Sequence, residues 1–150
     1  MLSAIQTRVH QIVDLAFAPV LDLSEEERAG RTMTCQHRLM VSQNPEQPLI
    51  WLARLRVAFV HAENGPRSLY LGHCEMIAEF ELHPEFPEKD REKFVSLNSG
   101  AILYGSIREW FATLSARSLH GLAELPTIDA RVFIPKGEAA PAPTAAVDPK

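Results

Sequence analysis

Six histidines, two cysteines and a group of glutamates are the side chains of this 150-residue chain whose chemistry could go beyond packing. His73 and Cys74 are adjacent. Neighbours on an extended strand point to opposite faces, so the two serve neither as joint metal ligands nor as a thiol with its base. Cys35 and His37 can share a face, but two ligands fall short of the three or four that zinc requires, and core packing is their expected role. Glu75, Glu79 and Glu81 are spaced for one strand face, where carboxylates solubilise unless a concave apolar site shifts their pKa. The chain carries no Gly-x-Ser-x-Gly elbow and no phosphate-cradling glycine loop. A non-enzymatic protein without metal or cofactor is the expectation.

Composition narrows the classes further. At 150 residues and 46% hydrophobic content the chain suits one globular domain with a real core. Fifteen basic against nineteen acidic residues give a net charge of −4, which argues against a nucleic-acid partner, because phosphate binding needs a concentrated positive field. Arg8, His10 and Asp14 interrupt the first seventeen residues, so a signal peptide is not expected, nor is membrane insertion. Two cysteines cannot build a disulfide framework, which fits a reducing, cytoplasmic setting.

The elements that must position these groups are legible as periodicities. Ile5, Val9, Val13, Leu15 and Phe17 alternate like a strand, while Leu2, Ile5, Val9, Ile12 and Ala16 approximate a helical stripe; periodicity leaves the segment open. Pro19 to Gly30, with Ser24-Glu25-Glu26-Glu27, reads as a long acidic connection. Met33, Cys35, His37, Leu39 and Val41 then share one face of a half-buried strand that ends at Asn44-Pro45. Leu49 to His61 and Arg67 to Leu82 follow as two long strands around Glu63-Asn64-Gly65-Pro66, a hairpin signal.

A turn centred between Asn64 and Gly65 places Trp51, Leu55, Val57 and Phe59 opposite Ala78, Cys74, Gly72 and Tyr70 on the core face. The other face then sets Arg54 opposite Glu75, with Arg56, Glu79 and Glu81 nearby on a solvated surface. A one-residue slip would bury those charges, so they fix the register.

Beyond Pro84 and Pro87, Glu88 to Val95 reads as a short helix with Phe94 inward, and a longer helix follows, capped by Asn98 or Ser99. In it Leu103, Ile107, Trp110, Phe111 and Leu114 fall at i, i+4, i+7, i+8 and i+11, one apolar face. A strand-like tail containing Leu125-Pro126 runs to Phe133. Residues 1–135 form the expected domain; Lys136 to Lys150 is Ala/Pro-rich and expected to be disordered. Ile102, Tyr104, Leu119 and Leu122 lie off the helix stripe, and Val20, Leu21, Leu23, Phe86 and Leu97 sit in connections. Such apolar surplus marks subunit contacts or a binding groove.

The segment from Ala101 to Arg117, with its Arg108-Glu109 pair, resembles the long helix of the SecB family of export chaperones. Leu125-Pro126-Thr127-Ile128-Asp129 looks like that family's Leu/Pro/Ile/Asn segment, and Arg8 to Pro19 is similar to its first strand, which favours the strand reading there. The similarity spans about residues 4 to 134, and its motifs are loose and hydrophobic. It implies an α+β fold, a four-stranded antiparallel sheet with two C-terminal helices packed on one face. It also implies a homotetramer, a dimer of dimers with helices sandwiched between sheets.

By the same resemblance the function would be that of an ATP-independent holdase for unfolded polypeptide clients, with SecA as a motor partner. The family's client groove would fall on Phe17, Leu21, Leu23, Leu97, Ile102 and Tyr104, each of which packing alone could equally explain. Its motor-contact surface would fall on Leu71, Glu75, Glu79 and Glu81. Two departures bear on the motor: the family's Leu-x-Glu contact reads Leu71-Gly72-His73 here, and the Cys/His zinc-binding tail is replaced by Ala-Pro-Ala-Pro-Thr-Ala-Ala-Val-Asp-Pro-Lys. A specialised member guarding one client such as an antitoxin is the alternative; a small-ligand protein or enzyme would need an enclosed polar pocket.

Overall fold

Four strands form one antiparallel sheet in the order β1-β4-β3-β2, where β1 is Ile5–Pro19, β2 Thr34–Gln43, β3 Ile50–Val60 and β4 Tyr70–Leu82. The computed structural model describes residues 3–31 and 33–135. A short helix, α1 (Glu25–Gly30), interrupts the acidic connection, and a long one, α2 (Arg91–Ala116), packs on β2, β3 and β4. The architecture is α+β, with the core between the helix and one sheet face. The expectations for Leu2 and for residues 136–150 lie outside the described residues.

β1 is a strand, as the family resemblance suggested, and it carries two bulges, between Thr7 and Val9 and between Ile12 and Asp14. Each bulge inserts one residue and so swaps which side chains face the core. The second one turns Asp14 outward while returning Leu15 and Phe17 to the helix side. α1 is nucleated by a capping box: Ser24 Oγ accepts from the Glu27 N–H at 3.2 Å and Glu27 Oε2 accepts from the Ser24 N–H at 2.8 Å.

The central hairpin keeps the expected faces but not the expected register. Trp51 stands opposite Phe80, Leu55 opposite Met76, Val57 opposite Cys74 and Phe59 opposite Gly72, so every partner lies two residues further along β4. The connection is not a tight turn at Asn64-Gly65. Residues 61–69 form a longer loop in which Ser68 donates from Oγ to the Val60 carbonyl and from its N–H to His61 Nδ1 at 3.1 Å. A shift of two preserves side-chain parity, which is why the core and solvent faces come out correctly from a wrong turn. Arg56, rather than Arg54, is the residue directly opposite Glu75.

The two helices expected after β4 are one. A 3₁₀ turn (Glu88–Asp90) leads straight into α2, and neither Asn98 nor Ser99 caps a helix start. Asn98 Nδ2 instead donates to the Phe94 carbonyl at 2.8 Å inside the helix, Ser99 is buried, and Phe94 is half-buried against Phe86 with ring centroids 4.3 Å apart. No Gly or Pro separates Glu88 from Ser99, and burial of Val95 rewards continuation.

The buried face of α2 follows a strict four-residue ridge, Val95, Ser99, Leu103, Ile107, Phe111 and Ser115. Such an i±4 row is inclined to the helix axis, so the contact line drifts round the helix as it crosses the twisted sheet. Leu103, Ile107 and Phe111 are essentially inaccessible, each worth about 2–3 kcal/mol of burial. Trp110, expected on that face at i+7, falls off the ridge and is 46% exposed, and Leu114 is only half-buried.

Candidate functional site

The connection after β1 and the segment after α2 meet at an aromatic cluster. Phe17 stacks on Tyr70 with centroids 4.8 Å apart and meets the edge of Phe111 at 5.6 Å. Tyr70 OH donates to the Gly121 carbonyl at 2.8 Å and accepts from the His120 N–H at 3.2 Å, and His120 Nε2 lies 2.7 Å from the Val20 carbonyl. Arg67 holds the connection from below, with Nη2 2.7 Å from Asp22 Oδ1. This stapling leaves Leu21, 78% exposed, on the residue after Val20, and Leu119 and Leu122 exposed on either side of His120 and Gly121.

The six residues expected to bind clients are not equivalent. Leu23 and Tyr104 belong to the buried core, Phe17 and Leu97 are half-buried, and only Leu21 and Ile102 are exposed. Tyr104 OH donates to the Pro126 carbonyl at 2.7 Å and lies 3.5 Å from Cys35 Sγ; burial, with the thiol's help, holds its phenol well above the usual tyrosine range. Phe17, Leu21 and Leu23 share the connection, whereas Ile102 lies a helix half away. Of the other apolar groups singled out by sequence, Val20 is buried as well.

A second apolar rim is formed where α2 stops short of β1. Leu15, 41% exposed, faces Trp110 and Leu114 across a narrow crevice of about 10 Å³ walled only by apolar groups, with Phe59, Cys74, Ile107 and Phe111 as its floor. Burial pushes the Cys74 thiol up to about 11, so it acts as a hydrophobe and not as a nucleophile. The sequence assigned Leu15 and Trp110 to packing; the missed signal was the edge position of β1, which no periodicity encodes.

The outer face of the sheet carries a row of four charges, one per strand: Arg38, Arg56, Glu75 and Asp14, each opposite the next. Arg56 Nη1 lies 3.2 Å from Asp14 Oδ2 and 3.1 Å from Glu75 Oε2, Arg54 pairs with Glu75 Oε1, and His73 Nε2 lies 2.7 Å from Asp14 Oδ2. The hydrogen bond to His73, then that to Arg56, lowers the Asp14 pKa. Burial pushes Glu75 up, but bonds from Arg54 and Arg56 outweigh it and hold the carboxylate below its ordinary range.

These positions correct the expected motor-contact surface in two respects. Glu75, Glu79 and Glu81 do share the outer face, while Leu71 is half-buried and packs against the core; Glu75 is only 6% exposed, sealed beneath two guanidinium groups instead of solvated. Glu79 and Glu81 are the accessible acids, and Arg8 lies 3.1 Å from the first and 3.8 Å from the second. His73 points outward and Cys74 inward, as strand alternation requires. Cys35 and His37 share a face, but His37 packs edge-on to Phe133, 5.2 Å between centroids. Among the described residues no group of three His, Cys, Asp or Glu side chains could hold a metal ion, and no helix is long and apolar enough to cross a membrane.

A polar hollow of about 280 Å³ between α2 and the following segment, lined by Arg108, Glu109 and Glu124 beside Leu125, is open to solvent. It does not enclose a ligand in the way a catalytic pocket does.

No family model and no curated protein matches the sequence. Among solved structures the chain is similar to the SecB-like chaperone Rv1957 of Mycobacterium tuberculosis, in complex with a ChAD peptide from the Rv1956 HigA1 antitoxin. The TM-score is 0.58 at 16% identity, covering 84% of this chain and 91% of that one. It also resembles a protein of unknown function from Streptococcus agalactiae, with a TM-score of 0.47 and 12% identity over 82% of this chain and 97% of the other. A four-stranded antiparallel sheet in the order β1-β4-β3-β2 with a long C-terminal helix across one face is therefore a SecB-like fold.

Proposed function

We propose that this protein is an ATP-independent chaperone of the holdase type, binding unfolded polypeptides through apolar surface and performing no chemistry on them. The observation that carries the reading is the pair of apolar rims, Leu15 with Trp110 and Leu21 with Leu119 and Leu122, left open on a SecB-like fold. Large apolar groups at such rims are accessible to a client's own apolar residues. A protein that binds the unfolded state draws the folding equilibrium toward it by mass action, and many shallow apolar contacts need no particular client sequence.

Phe17, Leu21, Leu97 and Ile102 join Leu15, Trp110, Leu119 and Leu122 of the rims as the client contacts of this proposal, with Leu23 and Tyr104 buried beneath. A homotetramer is the proposed assembly, and a cytoplasmic setting suits a protein that meets clients before export. SecA is the proposed motor, reached through Leu71, Glu79 and Glu81, with Glu75 as the buried charge that keeps Arg54 and Arg56 in place.

A second reading is favoured by one observation: the solved relative with the SecB-like fold is bound to a peptide from an antitoxin. On that reading this protein guards a single dedicated client, and co-purification returns one stoichiometric partner instead of many.

The test is suppression of aggregation of a heat-unfolded enzyme such as citrate synthase. Leu21→Asp with Trp110→Asp changes exposed residues only, so the far-UV circular dichroism stays intact while suppression falls several-fold. Equal suppression by the variant sinks the assignment. Leu23 and Tyr104 are unsuitable for this test, because Ser or Asp at a buried site destabilises the fold itself.

A further inference from the structure

Residues Leu122 to Ile128 run along the body without regular secondary structure, and among the described residues none of them bonds a main-chain group to another main-chain group. Side chains of the body hold them instead. Arg31 donates to the Leu122 carbonyl, Ser115 Oγ accepts from the Ala123 N–H at 3.0 Å and lies 3.2 Å from the Ala123 carbonyl, and Tyr104 OH donates to the Pro126 carbonyl at 2.7 Å. Just upstream, Tyr70 OH takes the Gly121 carbonyl at 2.8 Å.

Every one of these bonds falls on the main chain of the held segment, so none depends on which side chains that segment carries. The segment's side chains alternate as those of any extended peptide do: Ala123 and Leu125 are buried, while Leu122, Glu124 and Pro126 face solvent. Phe133 then closes over Gly100, where an added Cβ would lie 2.3 Å from its ring.

From this geometry we infer that Arg31, Tyr70, Tyr104 and Ser115 form a track for the main chain of an extended polypeptide. The protein's own residues 121–128 fill it until an apolar client segment takes their place, and the 3₁₀ turn Ala130–Phe133 closes the end of it. The inference rests on the holdase reading and deepens it by naming the site and the mode of recognition. The track takes mainly carbonyls, which every residue including proline offers, and it asks only for small or branched apolar side chains at alternate positions. A segment without ladder hydrogen bonds, anchored by few buried side chains, belongs to the least stable part of a fold and exchanges readily. As an internal competitor it lowers the apparent affinity for clients by the fraction of time the track stands open.

Hydrogen exchange on the full chain, with and without reduced carboxymethylated α-lactalbumin as a permanently unfolded probe, tests this directly. Client binding should speed exchange of the Ala123 amide, which Ser115 Oγ protects, and of the Val132 amide in the turn beyond it, while α2 and the sheet keep theirs. A bound probe with unchanged or slowed exchange there overturns the track. Independently, Leu125→Ala with Phe133→Ala, which loosens the segment without placing a charge at a buried site, should tighten probe binding about tenfold by freeing the site, and adding Tyr104→Phe and Ser115→Ala should reverse the gain. A loosened variant that binds no better refutes the inference. If that variant does not fold, the exchange result on the natural chain decides alone. Failure of the probe to bind the natural chain and the loosened one alike overturns the holdase reading together with the track, whereas binding with 122–133 undisturbed overturns only the track.

Discussion

Asp14 and Glu75 stand directly opposite each other in the β1–β4 ladder, two carboxylates held face to face by a single guanidinium, with Arg56 Nη1 3.2 Å from one and 3.1 Å from the other. Like charges in register destabilise a sheet unless a cation intervenes. Arg56→Gln should therefore lower the urea midpoint, by less than breaking a fully buried pair does, because Arg56 is half-exposed and Arg54 still pairs with Glu75. Arg56→Gln combined with Glu75→Gln should recover most of the loss. Urea midpoints of the two single variants and the double one check it, and simple additivity would refute the coupling.

Acid should weaken this fold in a defined window. Asp14, Glu75 and Asp129 all have folded pKa values below their ordinary ones, Asp129 at about 2 through the hydrogen bond from the Arg131 side chain and then that from its N–H. A lowered carboxylate contributes stability that is fully present above its unfolded pKa, near 4, and is lost as pH falls through the lower folded value. Stability should stay level from pH 7 to about 5 and decline from about 4 toward 2. Asp14→Asn should flatten part of that decline, as followed by chemical denaturation at stepped pH; an unchanged acid limb would count against the network.

Phe111 and Trp110 are neighbours in sequence with opposite energetic roles. Phe111→Ala removes a ring packed on Phe17, Phe59 and Tyr70 and should cost about 3–5 kcal/mol. Trp110→Ala removes a half-exposed side chain and should cost the protomer under about 1.5 kcal/mol. Thermal melts that rank the two the other way round would contradict the i±4 ridge.

Gly72 sits at φ +139°, where its position between Phe17 and Phe59 leaves no room: a Cβ would lie 2.1 Å from the Ala16 carbonyl oxygen. Gly72→Ala should destabilise by more than about 3 kcal/mol, from the disfavoured backbone plus displacement of β1. The Phe17 stack on Tyr70 should loosen with it, visible as a changed near-ultraviolet dichroism. A variant with native stability and spectrum would show that β1 yields at no cost.

The side-chain alternation of Met33 to Val41 and of the β3–β4 pair was readable from residue types alone, because burial on one sheet face imposes a period of two that survives an even slip in register. The slip itself was not readable: Asn64-Gly65 signals a tight turn, but Ser68 bonding back to Val60 and His61 makes the loop longer. The join of the two expected helices was equally hidden, since whether Asn98 ends or continues a helix depends on Val95 finding a core to enter. Leu23 and Tyr104, marked by sequence as apolar surplus, are buried, Tyr104 beneath Pro126 and Phe133 of the chain's own later residues.

Sequence alone determined the strands β2, β3 and β4 and their inward faces, since alternation follows from local geometry and water. Tertiary structure alone decided which apolar groups remain open, because that depends on where α2 ends its crossing of the sheet, how two bulges re-aim β1, and which grooves residues 122–133 fill. Exposure is a property of what lies alongside a residue in space, and neighbours along the chain do not encode it.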